Sequence, residues 1–408
     1  MSRVVVAVAG GIAAYKACEL VRRLRAAEHD VQVVPTESAL HFVGAATWAA
    51  LSGHPVSTSV WDDVHEVPHV KIGQQADLVL VAPATADLLA RAAAGRADDL
   101  LTNVLLTARC PVIFAPAMHT EMWQHPATRT NVATVRSRGS IVLDPDSGRL
   151  TGADSGPGRL PEAAEIFAVA SAILHRPALS SQVASQDMAG LHVAVSAGGT
   201  REHLDPVRFL GNSSSGLMGW ALARAARLRG ASVHLVAANV ALSHPAGIDV
   251  ETVTSTGDLE RAMNRAADSA DLVVMAAAPA DFTPAAASDT KIKKHGDVDG
   301  LQLDLVQTPD VLAGLVAART DPAQVLVGFA AETPTAEQSL VELGRAKLAR
   351  KGCDLLVLNS VGRGLVFGQP DSEITLLSSE GERGPIVGSK DTLAHDIWDA
   401  ALAARHRR

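Results

Sequence analysis

At 408 residues the chain has room for about two or three domains of the usual ~150 residues. With 47% hydrophobic and 20% charged residues it has a globular composition, and no apolar run is long enough to span a bilayer, so no membrane partner is expected. A net charge of −8, no dense Lys/Arg block and only 3% aromatic residues argue against nucleic acid as a partner.

The chain passes directly from Met1-Ser2-Arg3 into a strand-like run, with neither a cleavage-site pattern nor an Arg/Ser-rich leader, and a cytoplasmic location is expected. Short Val/Leu/Ala runs then alternate with helical periods: strand 4–9, helix 12–27, strand 31–34, strand 78–82, helix 85–94, strand 112–115. This is the βαβ rhythm of a parallel sheet, an α/β fold. The run Leu78-Val79-Leu80-Val81-Ala82 is apolar on both faces and suits a strand covered on both sides.

Ligands of such sheets gather at the carboxyl ends of the strands. Four predicted ends carry Gly10-Gly11-Ile12, Thr36-Glu37-Ser38, Ala82-Pro83-Ala84-Thr85-Ala86-Asp87 and Ala115-Pro116-Ala117-Met118-His119. Glycines at a strand end leave backbone N–H groups to face an anion, and the Ser38 and Thr85 hydroxyls suit a phosphate. The Pro and Met edges suit a flat apolar ring. Taken singly, each piece is ordinary loop punctuation. His69 and His119 are candidates for proton exchange, since an imidazole can exchange protons near neutrality, although a lone histidine is more often structural.

The ordered set Gly10-Gly11-Ile12-Ala13-Ala14-Tyr15-Lys16, Ala50-Leu51-Ser52-Gly53, Ala82-Pro83-Ala84-Thr85-Ala86, Ala97-Asp98-Asp99-Leu100-Leu101 and Pro116-Ala117-Met118 resembles the flavin-containing cysteine decarboxylases. The resemblance implies a flavodoxin-like domain that binds FMN through Gly10, Gly11, Ile12, Ser38, Ala84, Thr85 and Met118. It also implies decarboxylation of 4'-phosphopantothenoylcysteine with His69 as the catalytic histidine. There are two departures. His119 stands where the family has an asparagine that grips the substrate carboxylate. Gly152 stands where the family has a lid cysteine that donates a proton.

The polar, aperiodic stretch 178–189 reads as a linker between domains 1–177 and 190–408. Beyond it the rhythm restarts: strand 191–196, helix 217–229, strand 233–237, helix 259–268, strand 272–275, strand 325–329, helix 337–351, strand 355–358 and a closing helix. Gly198-Gly199-Thr200 repeats the strand-to-glycine opening. Ser213-Ser214-Ser215-Gly216 before a helix reads either as a simple cap or as an anion seat. Ala276-Ala277-Ala278-Pro279-Ala280-Asp281 offers small residues for close approach of a ligand, and Lys291-Ile292-Lys293-Lys294 offers cations, although a charge run is usually a solvated face. Lys347 and Lys351, four apart on the predicted helix, can serve one phosphate chain or one solvated surface.

These segments, with Gly198-Gly199-Thr200-Arg201-Glu202, Asp205-Pro206-Val207-Arg208-Phe209, Pro309-Asp310 and Gly328-Phe329-Ala330-Ala331-Glu332-Thr333, resemble phosphopantothenoylcysteine synthetase as fused to the decarboxylase in bacteria. The resemblance implies a second Rossmann-like doubly wound domain that joins cysteine to 4'-phosphopantothenate through an acyl-cytidylate, with CTP as co-substrate and Mg²⁺ accompanying it. Asn212 would hold the acyl-cytidylate. Ser213, Ser214, Ser215, Gly216, Ala276, Ala277, Asp281, Lys291, Pro309, Asp310, Val311, Leu312, Phe329, Lys347 and Lys351 would contact substrate or nucleotide. It further implies a homo-oligomer of trimeric decarboxylase units joined by ligase dimers, a dodecamer in the closed form. Two alternatives stay open on sequence: a nicotinamide-dependent oxidoreductase, which would lack its GxGxxG, and a flavoprotein that only binds a partner. The three cysteines, Cys18, Cys110 and Cys353, form no CxxC pair and read as reduced, packed thiols.

Overall fold

Uninterrupted apolar runs become the central strands, and intervening helices return the chain to the same sheet edge. The computed structural model describes residues 1–61, 68–150, 155–293, 301–332, 338–360 and 371–408. They divide into two units, Met1–Asp187 and Met188–Arg408.

In the first unit β1 (Arg3–Val8) leads to α1 (Ala14–Ala26), β2 (Asp30–Pro35), a 3-10 turn (Glu37–His41), α2 (Ala45–Ser52), α3 (Pro68–Gln75) and β3 (Leu78–Ala84). There follow α4 (Ala86–Ala94), α5 (Leu100–Thr107), β4 (Val112–Pro116), α6 (Thr120–Gln124), α7 (Pro126–Ser137) and β5 (Ile141–Val142). The hairpin of β6 (Asp146–Arg149) and β7 (Ser155–Arg159), then α8 (Ala163–His175) and α9 (Ala178–Ser185), complete it. The sheet is parallel in the order β2-β1-β3-β4-β5. Strand order reverses between β1 and β3, the flavodoxin-like arrangement, which leaves a crevice at that switch point. β3 is buried along its whole length, as its two-sided apolar run requires.

The segment 178–189 differs from its reading as a linker. It holds α9, whose Leu179 and Val183 are buried four residues apart. Its serines and glutamines mask this i, i+4 apolar pair, and packing of those two side chains outweighs the weak local propensity.

In the second unit β8 (His192–Gly198), β9 (Arg201–His203) and β10 (Phe209–Gly211) precede α10 (Leu217–Leu228), β11 (Ser232–Ala238), β12 (Asp249–Val253) and α11 (Thr256–Ala267). Then come β13 (Leu272–Met275), β14 (Phe282–Pro284), β15 (Leu305–Gln307), α12 (Val311–Ala318), β16 (Val325–Glu332) and α13 (Leu340–Lys351). β17 (Leu355–Ser360), β18 (Asp371–Ser378), β19 (Gly381–Ser389) and α14 (Lys390–His406) follow. The sheet order is β12-β11-β8-β13-β16-β17-β18-β19, parallel up to β17, with β18 and β19 antiparallel at one edge. α10 and α14 pack with alternate strand residues such as Val193 and Val195, and α11, α12 and α13 pack with Ala194, Val273 and Met275 on the other face. Both units are thus doubly wound α/β domains.

The α10–α14 layer is pinned by the Trp398 indole N–H, which donates to the Leu222 carbonyl at 2.9 Å. The fully buried Arg229 pairs with Asp399 at 2.9 Å. Removing one partner from such a pair costs about 3–5 kcal/mol, because the other charge stays out of water. Among the described residues no helix is long and apolar enough to cross a membrane.

Candidate active sites

In the first unit the strand ends open into a cavity of about 1160 Å³. That is somewhat above the roughly 300–1,000 Å³ common for small-molecule sites. Gly10, Gly11, Ile12, Ser38, Thr85, Met118 and His119 all line it. Gly10 is obligatory there, since a Cβ at this position would run into the Cβ and backbone of Ser38. The Thr85 Oγ1 accepts the Leu88 N–H at 3.3 Å and so caps α4, leaving its own hydrogen available toward the cavity. The Met118 N–H donates to the Gly158 carbonyl at 2.9 Å, which ties the β6–β7 hairpin to the exit of β4.

Two predicted residues of this site stand elsewhere. Ala84 is fully buried and packs in the core with Val79 and Val81, the β3–β4 ladder shifting register between Val81 and Ala84. His69 lies on α3, which packs against α5, and is not among the residues lining the cavity. Its carbonyl accepts the Thr107 hydroxyl at 2.9 Å, and its Nδ1 is closed to solvent without a hydrogen-bond partner among the described residues. Gly152 lies outside the described residues. Neither Cys18 nor Cys110 lines the cavity, and burial pushes both thiols up, Cys110 to about 11, so neither stands in for the missing lid thiol.

The cavity also has charged walls that the sequence reading did not single out. Arg91 holds Asp87, Asp98 and Asp99 at 3.1, 2.9 and 2.8 Å. The i, i+4 spacing of Asp87 and Arg91 was the available signal, whereas the other two partners come from the next turn of chain. Lys16 pairs with Glu162 at 3.0 Å, and Arg159 reaches the same carboxylate at 3.4 Å.

Beside this pair, on β6, burial and then the charge of Glu162 raise the Asp146 carboxyl to about 6, against the pull of Arg159 and Lys16. The folded chain therefore holds this proton more tightly than the unfolded chain. The site costs nothing below the ordinary aspartate range, and stability is lost as pH rises from there through about 6. Asp146→Asn is expected to stabilise the first unit by about 1 kcal/mol at pH 8, the shift being discounted for partial exposure, and to have little effect at pH 4. Urea unfolding at the two pH values checks this; equal effects at both would refute it.

In the second unit a cavity of about 710 Å³ lies at the strand ends around the β8–β13 switch. Asn212, Ser214, Ser215, Gly216, Ala276, Ala277, Asp281, Pro309, Asp310, Val311, Leu312, Phe329, Lys347 and Lys351 line it, as does Arg350, which the sequence reading passed over. Gly216, rather than one of the serines, stands at the cap position. This residue is the N-cap of α10 at φ 78°, and no side chain caps the helix. The first-turn N–H groups of a 12-residue helix therefore keep their pull on an anion.

The Asn212 side chain donates to the Pro279 carbonyl at 2.7 Å, joining two walls. Lys347 pairs with Glu332 at 2.7 Å and Lys351 with Asp310, so both ammonium groups are held inside the cavity by carboxylates. Asp310 also caps α12 by accepting the Ala313 N–H at 3.2 Å. Ser213 and Lys291 are exposed and do not line the cavity. The stretch holding Lys291 is tied instead to Asp205, whose carboxylate accepts the Ile292 N–H at 3.2 Å.

Comparison with known proteins places these two cavities in context. Residues 1–175 match the Flavoprotein family and residues 188–404 match the DNA/pantothenate metabolism flavoprotein C-terminal domain. The chain is 58% identical over 407 residues to the coenzyme A biosynthesis bifunctional protein CoaBC of Mycolicibacterium smegmatis, covering 98% of this chain and 97% of that protein.

The chain belongs to the CoaBC family of coenzyme A biosynthesis bifunctional proteins.

The CoaBC protein of Vibrio cholerae is 41% identical, with 97% of this chain and 96% of that protein covered. Among solved structures, the C-terminal domain of a CoaBC protein matches at 29% identity and a TM-score of 0.44, covering 54% of this chain and 98% of that chain. The family boundary at residue 188 coincides with the start of the second unit, just after α9. Within the family's frame, the first unit is a flavoprotein domain.

Proposed function

We propose that the second unit ligates cysteine to 4'-phosphopantothenate through an acyl-cytidylate at the expense of CTP, and that the first unit decarboxylates the product to 4'-phosphopantetheine with FMN. The observation that carries this reading is the presence, in one chain of CoaBC type, of a glycine-walled crevice in the flavoprotein unit and an uncapped helix start facing two lysines in the other.

In the first cavity the residues present fit FMN. Gly10 keeps a backbone cradle open, Ser38 and Thr85 offer hydroxyls to a phosphate, and Ile12 and Met118 offer apolar edges to a ring. Bound there, FMN would supply the acceptor for the electrons of the substrate thiol that lets carbon dioxide leave, and the hydride for the return reduction. His69 moves a proton at the substrate. It stands outside the cavity of its own chain, and an adjacent copy in a homo-oligomer supplies it; trimeric decarboxylase units joined by ligase dimers meet that need. His119 lines the cavity where a substrate carboxylate would lie.

In the second cavity the start of α10 and the Lys347 and Lys351 ammonium groups bind the nucleotide phosphates, Asn212 orients the acyl group, and Phe329 and the Pro309-to-Leu312 turn border the nucleotide. A carboxylate is a poor acyl donor until its oxygen belongs to a good leaving group, and the cations stabilise the charge that develops as pyrophosphate departs. Among the described residues no group of three or more His, Cys, Asp or Glu side chains forms a metal cluster. Mg²⁺ would accompany the triphosphate, with Asp281 the carboxylate at hand in the cavity. The expected site of action is the cytoplasm.

Purified protein is expected to show a flavin absorption spectrum. Given 4'-phosphopantothenate, cysteine, Mg²⁺ and CTP, it is expected to release pyrophosphate and carbon dioxide and to form 4'-phosphopantetheine. Colourless protein that releases no pyrophosphate would overturn both halves.

A further inference from the structure

One wall of the second cavity is built by residues that neither the nucleotide nor the acyl group uses. β17 ends on this cavity with Asn359, and α14 begins on it with Lys390. The register brings them to the same sheet edge. Asn359 lies opposite Ile374 on β18, Ile374 lies opposite Ile386 on β19, and β19 runs on into Ser389 and Lys390. This wall belongs to the α10–α14 face of the sheet, whereas Lys347 and Lys351 approach from α13 on the other face.

Lys390 is only 7% exposed and occupies the first position of a 17-residue helix. An ammonium group at the positive end of a helix dipole and out of water is unfavourable on both counts. Burial pushes its pKa below the usual lysine range, opposed by Asp371 on β18 and Asp391 on its own helix, and Asp391 is itself engaged by Arg224 at 2.5 Å. Lys390 has partners within the fold, and an anion in the cavity it lines would add to them. The Asn359 Oδ1 is closed to solvent, and no donor among the described residues reaches it. A buried acceptor left in that state seeks an N–H group. An anion seat and an N–H acceptor on one short wall match the two ends of an α-amino acid.

We propose that Lys390 and Asn359 form the amino-acid subsite of the ligase, Lys390 receiving the α-carboxylate and Asn359 Oδ1 an N–H of the α-amino group. The proposal rests on the ligase reading above. An amine held through one N–H keeps its nitrogen lone pair for the activated acyl carbon.

The test uses the full chain, its Lys390→Met and Asn359→Ala variants, and two amines: cysteine, and cysteamine, which keeps the amine and thiol but lacks the carboxylate. Pyrophosphate release from 4'-phosphopantothenate and CTP without any amine is measured separately from amide formation. Lys390→Met is expected to raise the KM for cysteine at least tenfold, to abolish the parent's preference for cysteine over cysteamine, and to change amine-free pyrophosphate release less than threefold. Asn359→Ala is expected to weaken both amines alike. If Lys390→Met instead slows pyrophosphate release tenfold while the cysteine KM stays put, the anion is a phosphate or the acyl carboxylate and the subsite is overturned. Unchanged cysteine KM in both variants overturns it too. No pyrophosphate release by the parent would defeat the ligase reading itself, a result distinct from either.

Discussion

Replacing His69 with Asn is expected to cut carbon dioxide release from 4'-phosphopantothenoylcysteine by about 10²–10⁴-fold, the usual range for loss of a general acid–base group, while the protein keeps its flavin. Both parts follow from where the side chain stands. The residues that cradle the ligand are Gly10, Gly11, Ile12, Ser38, Thr85 and Met118, and His69 is not among those lining the cavity, so removing the imidazole leaves the cradle intact. Asn retains a polar side chain of similar reach but cannot exchange a proton near neutrality. With the ligase unaffected, the cysteine conjugate is expected to accumulate when 4'-phosphopantothenate, cysteine and CTP are supplied.

On the proposal that His69 serves the cavity of an adjacent copy, co-expression of His69→Asn with Gly10→Leu, which blocks the cradle against Ser38, is expected to restore turnover that neither variant shows alone. Mixed oligomers that form but stay inactive would return His69 to its own chain's cavity. Flavin loss in His69→Asn would show it to be part of the cofactor cradle.

Long periodic segments were legible because burial and local pattern agree. The predicted strand 272–275 is β13, Leu272–Met275, and the predicted helix 217–229 is α10, Leu217–Leu228. The predicted helix 259–268 begins earlier, at Thr256, because Ser255 and Asp258 form a capping box that adds a turn ahead of the apolar period. The short hairpins were not read: Ser155-Gly156-Pro157-Gly158-Arg159 looks like a loop by composition, and only pairing with β6 makes it a strand. The antiparallel edge, β18 and β19, was missed because the strand-and-helix alternation used to read the chain carries no signal for a terminal hairpin.

At the sites, glycines and hydroxyls at strand ends were visible because topology alone sends strand ends to the crevice. Ala84 packs in the core because the β3–β4 ladder shifts register ahead of it, and no period-2 pattern in the sequence carries that shift. The long-range ion pairs were not visible: Lys351 meets Asp310 across 41 residues, and no spacing rule connects a helix end to the cap of the preceding helix. Lys390 reads from sequence as one more surface lysine, and only its burial marks it out.

Those ion pairs set the other large effect. Lys347→Ala combined with Lys351→Ala is expected to lower kcat/KM for CTP by about 10²–10³-fold, the scale for losing preorganised groups that stabilise developing charge. Glu332 and Asp310 hold the two ammonium groups within the cavity before nucleotide arrives, so little is lost in ordering them when it does. The same carboxylates compete with phosphate. Glu332→Gln, which keeps the side chain but removes its charge, is therefore expected to lower the KM for CTP by about threefold, a favourable change of roughly 0.65 kcal/mol at RT ≈ 0.59 kcal/mol. Charge complementarity of this kind is screened, so the parent's KM for CTP should rise with added salt more steeply than that of the double variant. Initial rates of pyrophosphate release against CTP at two ionic strengths test both statements. A double variant that folds, as judged by an unchanged urea midpoint of the second unit, yet binds and turns over CTP like the parent would show that the nucleotide phosphates lie elsewhere in the cavity, against the start of α10 alone.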